Sequence, residues 1–298
     1  MASRQKAYLY LLGSAIIWGS ASSVIKYTLG GIDPLPFLAY RFLISGLFSL
    51  FVIYFFKLKI NFKIKDLTLL SVYGFLATTV ALGFLFLGLS RTSVIETGLI
   101  GAVSPLIVTI GGMLFLKEHV TKREIRGILT ALAGALLTVF SPFFTGDGQL
   151  RFTGNLFLVL YLISDASAIL IAKSMLKQKF KPLLISSFSF LVGAVTIIPT
   201  AIASLGLNEI LTAITNLPLS YHLGVWYMAL ISGSLAYFLF IRGERTIEAG
   251  EAVLFFYLHP IFSIPIAVFW LNETITPIFI VGALFIAIGV YVAEKKKG

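Results

Sequence analysis

Two ionisable residues stand near the middle of otherwise apolar runs of this chain: Asp165, and His259 directly before Pro260. A carboxylate at membrane depth costs several kcal/mol unless it is paired, hydrated or protonated, so intramembrane ionisable groups count as functional candidates by default. Asp165 could hold a substrate amine or a proton; the competing reading is a hydrogen bond to Ser, Thr or backbone on a neighbouring helix. His259, with a reference pKa of about 6.5, is the side chain suited to change charge near neutral pH. Either ring nitrogen could instead bond a carbonyl freed by the proline. Pro105 and Pro260 each remove a backbone hydrogen bond and are expected to kink their helices, which suits a pair of hinges. Arg41 could grip a carboxylate with both arms of its fork, although snorkelling to the nearer membrane face is the favoured expectation. Asp165, His259, Pro105, Pro260 and Arg41 are therefore the candidates for gating or proton coupling.

Other chemistries are poorly served. The chain has no Cys, which removes disulfides, thiolate metal sites and iron–sulfur clusters. Its three histidines, His119, His222 and His259, form no HExxH pair, so no metal site and no cofactor are expected. No Gly-x4-Gly-Lys-Ser/Thr segment is present to bind ATP. The Gly146-Asp147 pair falls in a loop, which gives no support to an intramembrane protease, and no catalytic residue is assigned. The expected class is not an enzyme.

The elements that must position these residues follow from composition. Of 298 residues, 58% are hydrophobic and only 12% charged, about half the charged share of a soluble domain, roughly 25%. So few charges cannot clothe a soluble protein of this size, and the net charge of +10 belongs beside a lipid bilayer rather than a nucleic acid. The apolar runs are unbroken, which excludes the alternating pattern of a membrane β-barrel. A spanning helix needs roughly 20 residues. Ten candidates occur: 7–28, 35–56, 67–89, 97–116, 125–143, 154–173, 183–205, 221–241, 250–271 and 277–293. With both termini in the cytoplasm, all of the 23 Lys and Arg except Lys26, Arg41, Arg91 and Arg151 fall on the cytoplasmic side, as the positive-inside rule requires. The expected fold is all-α, a multi-pass protein of the cytoplasmic (inner) membrane.

The chain also repeats itself. A shift of 155 residues aligns 81–134 with 236–289 without a gap. It superposes Glu96 on Glu251, Pro105 on Pro260, Glu118 on Glu273, Thr121 on Thr276, Gly127 on Gly282 and Gly134 on Gly289. Near the start of each half, Trp18…Lys26 and Asp165…Lys173 share a spacing at a slightly different offset. Five spans per half is odd, so the second copy enters the membrane from the opposite side. Inverted repeats of this kind mark secondary transporters, with one site between the halves. Within this scheme Glu96 and Glu251 suit helix N-termini, and Thr121 and Thr276 suit N-caps. Glu118 and Glu273 mark turns on opposite faces, Lys26 and Lys173 read as snorkelling anchors, and the paired glycines allow close helix approach.

The Pro…Leu-x-Glu…Thr…Gly…Gly segment closing each half, with Trp18-Gly19-Ser20 in the first span, resembles the EamA domain of the drug/metabolite transporter superfamily. The resemblance implies two inverted five-helix repeats, over 1–145 and 150–298, around a central cavity lined mainly by helices 1, 3, 4, 6, 8 and 9. It further implies small-metabolite substrates, amino-acid export being prominent among bacterial members. Trp18, Tyr73, Ser104, Tyr161, Asp165, Tyr237, Tyr257 and His259 fall where that cavity is expected. The expected function is a secondary transporter of a small organic molecule working by alternating access. A passive channel or facilitator is the alternative, and an intramembrane enzyme a distant third.

Overall fold

Backbone amides in lipid must find partners within their own segment, and the apolar runs accordingly fold as helices. The structure, a computed structural model, describes residues 2–58, 63–116, 121–146 and 148–294. Glu118, His119, Asp147, Lys59, Lys117, Lys295, Lys296 and Lys297 lie outside the described residues. The long helices are α1 (Ala2–Thr28), α2 (Pro34–Phe55), α3 (Ile64–Leu89), α4 (Val94–Phe115) and α5 (Lys122–Thr145) in the first half. In the second half they are α6 (Gly148–Lys177), α7 (Pro182–Leu205), α8 (Leu219–Glu244), α9 (Ala249–Leu271) and α10 (Pro277–Glu294). Among the described residues, nine helices are long and apolar enough to cross a bilayer; the tenth apolar segment, Pro277–Ala293, is shorter.

Local chemistry sets the boundaries. Pro34 and Pro182 open α2 and α7 in the first turn, where a missing amide hydrogen costs nothing. Thr121 and Glu124 form a capping box at the start of α5, and Gly146 ends that helix with φ 79°, a conformation glycine adopts freely. The Thr276 hydroxyl accepts from the Phe279 amide at 3.2 Å, so both expected threonine caps form.

One helix was not expected. Leu207–Thr215 forms a short helix between α7 and α8, with Ile210 buried against Ala39 and Ala201. Its Leu207, Ile210, Leu211 and Ile214 carry the helical spacing, on a segment too short to register as a span.

The two prolines differ from expectation in how they act. The turn at Ala102–Val103 breaks α4, and its second half begins at Ser104 with Pro105 in the first turn. In α9 the chain tightens to a 3-10 helix over Leu254–Leu258, and the second half begins at His259 with Pro260 likewise placed. Both prolines therefore start a half-helix instead of kinking a continuous one, because the first turn is where the ring fits without losing a bond. The helices α3 and α8 carry wider, π-type turns over Phe75–Val80 and Tyr227–Leu235.

The packing obeys an exchange of halves. Helix α3 packs on α6, and α8 on α1; α4 packs on α6, and α9 on α1; α2 meets α7, α4 meets α9, and α5 meets α10. Adding five to each helix number returns the same set. At the α5–α10 crossing the symmetry reaches single residues. A Cβ on Gly127 would meet the Gly289 carbonyl at 2.5 Å, and one on Gly289 would meet the Gly127 carbonyl at 2.6 Å. Gly134 and Gly282 are paired in the same reciprocal way. An early glycine on one helix thus faces a late glycine on its repeat counterpart, so the two counterparts run antiparallel, as inverted copies must. The outward faces stay greasy: Leu47, Phe51 and Phe55 on α2, and Leu284, Ile288 and Tyr291 on α10, are exposed, the reverse of a water-soluble surface.

Candidate functional site

The six helices α1, α3, α4, α6, α8 and α9, with Arg41 reaching in from α2, enclose a cavity of about 90 Å³. At roughly 10–15 Å³ per water position that is room for about six to nine waters, the scale of a small metabolite. Trp18, Ser104, Tyr161, Asp165, Tyr237 and His259 all line it. Tyr73 instead lines a smaller space of about 20 Å³, which shares Trp18, Asp165, Tyr237 and Phe256 with the first. Tyr257 is in neither lining. In a 3-10 turn residues three apart share a face, so Phe256 and His259 present together and Tyr257 lies around the helix from them. Pro105 and Pro260 are not lining residues either; each sits beside one, Ser104 and His259.

An aromatic cluster separates the two spaces. Trp18 packs edge-on to Tyr237 at 5.1 Å and to Phe256 at 5.8 Å, and lies 5.4 Å from Phe240. The Trp18 indole donates to the Ser232 carbonyl at 2.9 Å, which fixes the ring and ties α1 to the wide turn of α8. Tyr237 donates to the Ala77 carbonyl at 3.5 Å in the wide turn of α3.

Several buried polar atoms in the cavity wall have no hydrogen-bond partner: Arg41 Nε and Nη1, Ser104 Oγ, Ser263 Oγ and His259 Nε2. The expectation that His259 bonds a proline-freed carbonyl is not met by Nε2. The ring instead stacks on Phe256 at 4.7 Å. Buried polar groups normally find partners, so a cluster of unmet ones around one void marks a place for water or a polar ligand. Asp165 lines both spaces, and no basic side chain among the described residues pairs with it.

The favoured expectation for Arg41 is corrected. Snorkelling requires the guanidinium to reach a membrane face, whereas Arg41 is 1% exposed and faces the cavity. The lysines are corrected as well. Lys26 donates to the carbonyls of Leu89 at 2.9 Å and Thr92 at 2.7 Å. Lys173 donates to those of Glu244 at 2.8 Å and of Ile247. Carbonyls at a helix C-terminus lack intrahelical donors and carry partial negative charge, which draws each ammonium inward.

Ion pairs flank the cavity lengthwise. At the Lys26 end, Arg151 donates to Glu96 at 2.9 Å; Glu96 also accepts from Ser141 at 2.8 Å and from Thr92. At the Lys173 end, Arg4 donates to Glu251 at 2.6 Å, and Tyr8 donates to the same oxygen. Glu96 and Glu251 are repeat counterparts, and Arg4 and Arg151 share the offset of Lys26 and Lys173. Sequence reading gave the two glutamates a helix-terminus role and missed their arginine partners. Glu273 accepts from the Val94 and Ile95 amides at 2.8 and 2.9 Å, the structural part expected of it. Its counterpart Glu118 lies outside the described residues. Thr97, Gly98, Ser232 and Ser263 also line the cavity without having been singled out. The spacing of Thr97, Gly101 and Ser104, i, i+4 and i+7, was the available signal.

A helical bundle of two antiparallel repeats around a shared cavity is an arrangement many membrane transporters use. The chain belongs to the EamA-like transporter family, whose profile matches residues 5–140 and 152–294. It is 27% identical to the uncharacterized transporter YyaM of Bacillus subtilis (strain 168), over 96% of this chain and 93% of that protein. It is 23% identical to a probable amino-acid metabolite efflux pump of Salmonella typhimurium, over 97% of this chain and 95% of that protein. A solved structure, described only as the crystal structure of a protein, superposes with a TM-score of 0.64 at 16% identity, covering 98% of both chains. At that identity it bears on the fold alone.

Proposed function

We propose that this transporter moves a small organic metabolite, of the amino-acid class, outward across the cytoplasmic membrane by alternating access. The two inverted halves, 1–145 and 150–298, rock about the central cavity, and all ten apolar helices cross the bilayer. Both termini, and with them Arg4–Glu251, lie on the cytoplasmic side in this reading, which the Lys/Arg distribution supports; Arg151–Glu96 then closes the outer mouth. The observation that carries this reading is the pair of ion pairs themselves. Counterpart residues of two repeats pair toward opposite ends of the bundle, an arrangement that suits a carrier opening one mouth at a time. Asp165, in the wall of both spaces, is the coupling carboxylate, with His259 beside the same void. The amino-acid class is supported by the efflux pump among the relatives and by a cavity holding one anionic and one cationic side chain. The cavity's work is binding and release, with no enzymatic step.

Saturable counterflow tests the mechanism. Proteoliposomes preloaded with an unlabelled amino acid should accelerate entry of the labelled one. Flux that rises linearly with concentration and ignores the trans side would identify a passive channel instead.

A further inference from the structure

The Arg41 side chain is an unusual thing to find in the bundle. One side of it is dry and aromatic: its guanidinium carbon lies 5.5 Å from the Phe86 ring centre and 5.7 Å from that of Phe42, and both rings are fully buried. The other side is the cavity. Nε and Nη1 are buried without hydrogen-bond partners, and no carboxylate among the described residues forms an ion pair with the group. Ring faces offset part of the charge, but they accept no in-plane hydrogen bonds. A buried guanidinium with an unfilled fork is costly, and nothing in the bundle fills this one.

We propose that Arg41 is the carboxylate anchor of the cavity, so that the transported molecule must carry a carboxylate; this rests on the transport reading above and specifies its substrate. The planar fork matches a carboxylate in two-point geometry. Asp165 lines the same cavity, and a monoanionic carboxylate balances the single charge of Arg41. A molecule with a cationic amine at the Asp165 side and a carboxylate at Arg41 leaves the occupied cavity neutral. Helix α2 lies outside the set expected to line the cavity, and it contributes this single side chain.

The test uses the full-length protein in detergent, with thermal stabilisation as the readout. Sodium benzoate and benzamide share shape and differ in charge. Benzoate should stabilise the wild type more than benzamide does, and R41Q should abolish the difference. L-leucine, L-threonine and L-phenylalanine should stabilise where their methyl esters do not, and R41Q should weaken that binding tenfold or more, as loss of a charge-assisted bond implies. Should R41Q fail to fold, R41K keeps the charge and loses the fork, and should still weaken benzoate binding severalfold. Equal stabilisation by benzoate and benzamide in the wild type, or a benzoate advantage that survives both Arg41 variants, would overturn the assignment. If the benzoate arm holds while no amino acid undergoes exchange in proteoliposomes, the transport reading fails and the anion site stands. If exchange proceeds equally well in R41Q, the anchor fails and the transport reading stands.

Discussion

Lys26 and Lys173 make the same contact at opposite ends of the bundle. Each ammonium bridges two carbonyls at the end of a neighbouring helix, Leu89 and Thr92 for one, Glu244 and Ile247 for the other. The four carbonyl residues are themselves counterparts at the 155-residue shift. The lysines are thus latches tying α1 to the end of α3 and α6 to the end of α8, where adjacent helices turn.

Cutting a latch removes two charge-assisted hydrogen bonds. K26M and K173M should each lower stability by at least about 1.5–3 kcal/mol, the usual worth of a single bond to a charged group. Thermal melts in detergent check this. Equal melting of wild type and both variants would refute the latch role.

The ion pairs differ in depth, and that difference is measurable. The Glu96 and Arg151 side chains are 9% and 27% exposed, against 25% and 63% for Glu251 and Arg4. Exposed pairs contribute little and buried ones strongly resist loss of one partner. R151Q should therefore lower the melting temperature clearly while R4Q leaves it nearly unchanged. Both should alter exchange rates, since each weakens the closure of one mouth. A larger melting loss for R4Q would reverse the account.

The glycine crossing predicts a steric result with a built-in control. G127V and G289V place side-chain atoms against a helix backbone that cannot retreat, at a cost of about 1–3 kcal/mol each for overpacking. A Cβ at Gly83 meets nothing within 4 Å, so G83A should melt within experimental error of the wild type. The two valine variants should resemble each other, because they insert into the same crossing from opposite sides.

Much of the fold was legible in the chain because lipid leaves few alternatives: apolar length gives helices, and an odd number of helices per repeat gives inversion. Asp165 was legible because a carboxylate is conspicuous among leucines. Arg41 is conspicuous in the sequence but its direction is not, since position along a helix says how far the side chain is from the membrane face, not which way the helix is turned. The Arg–Glu pairs were hidden because their partners lie 55 and 247 residues apart, and only packing brings them together. The short helix Leu207–Thr215 escaped because its apolar stripe serves one buried contact rather than a span.

Coupling is tested at Asp165. With a proton carried on this carboxylate, amino-acid exchange in proteoliposomes should respond to an imposed pH gradient, and D165N, unable to release a proton, should abolish the response. Unchanged pH dependence in D165N would assign coupling elsewhere.

The inverted arrangement itself is open to a direct measurement, because a chain without cysteine accepts single reporters without background. Lys122 opens α5, and Thr274 lies in the turn between α9 and α10; both are exposed. With a membrane-impermeant maleimide on intact cells, K122C should label only after the membrane is opened, whereas T274C should label at once. Reaction of both from the same side would contradict the account.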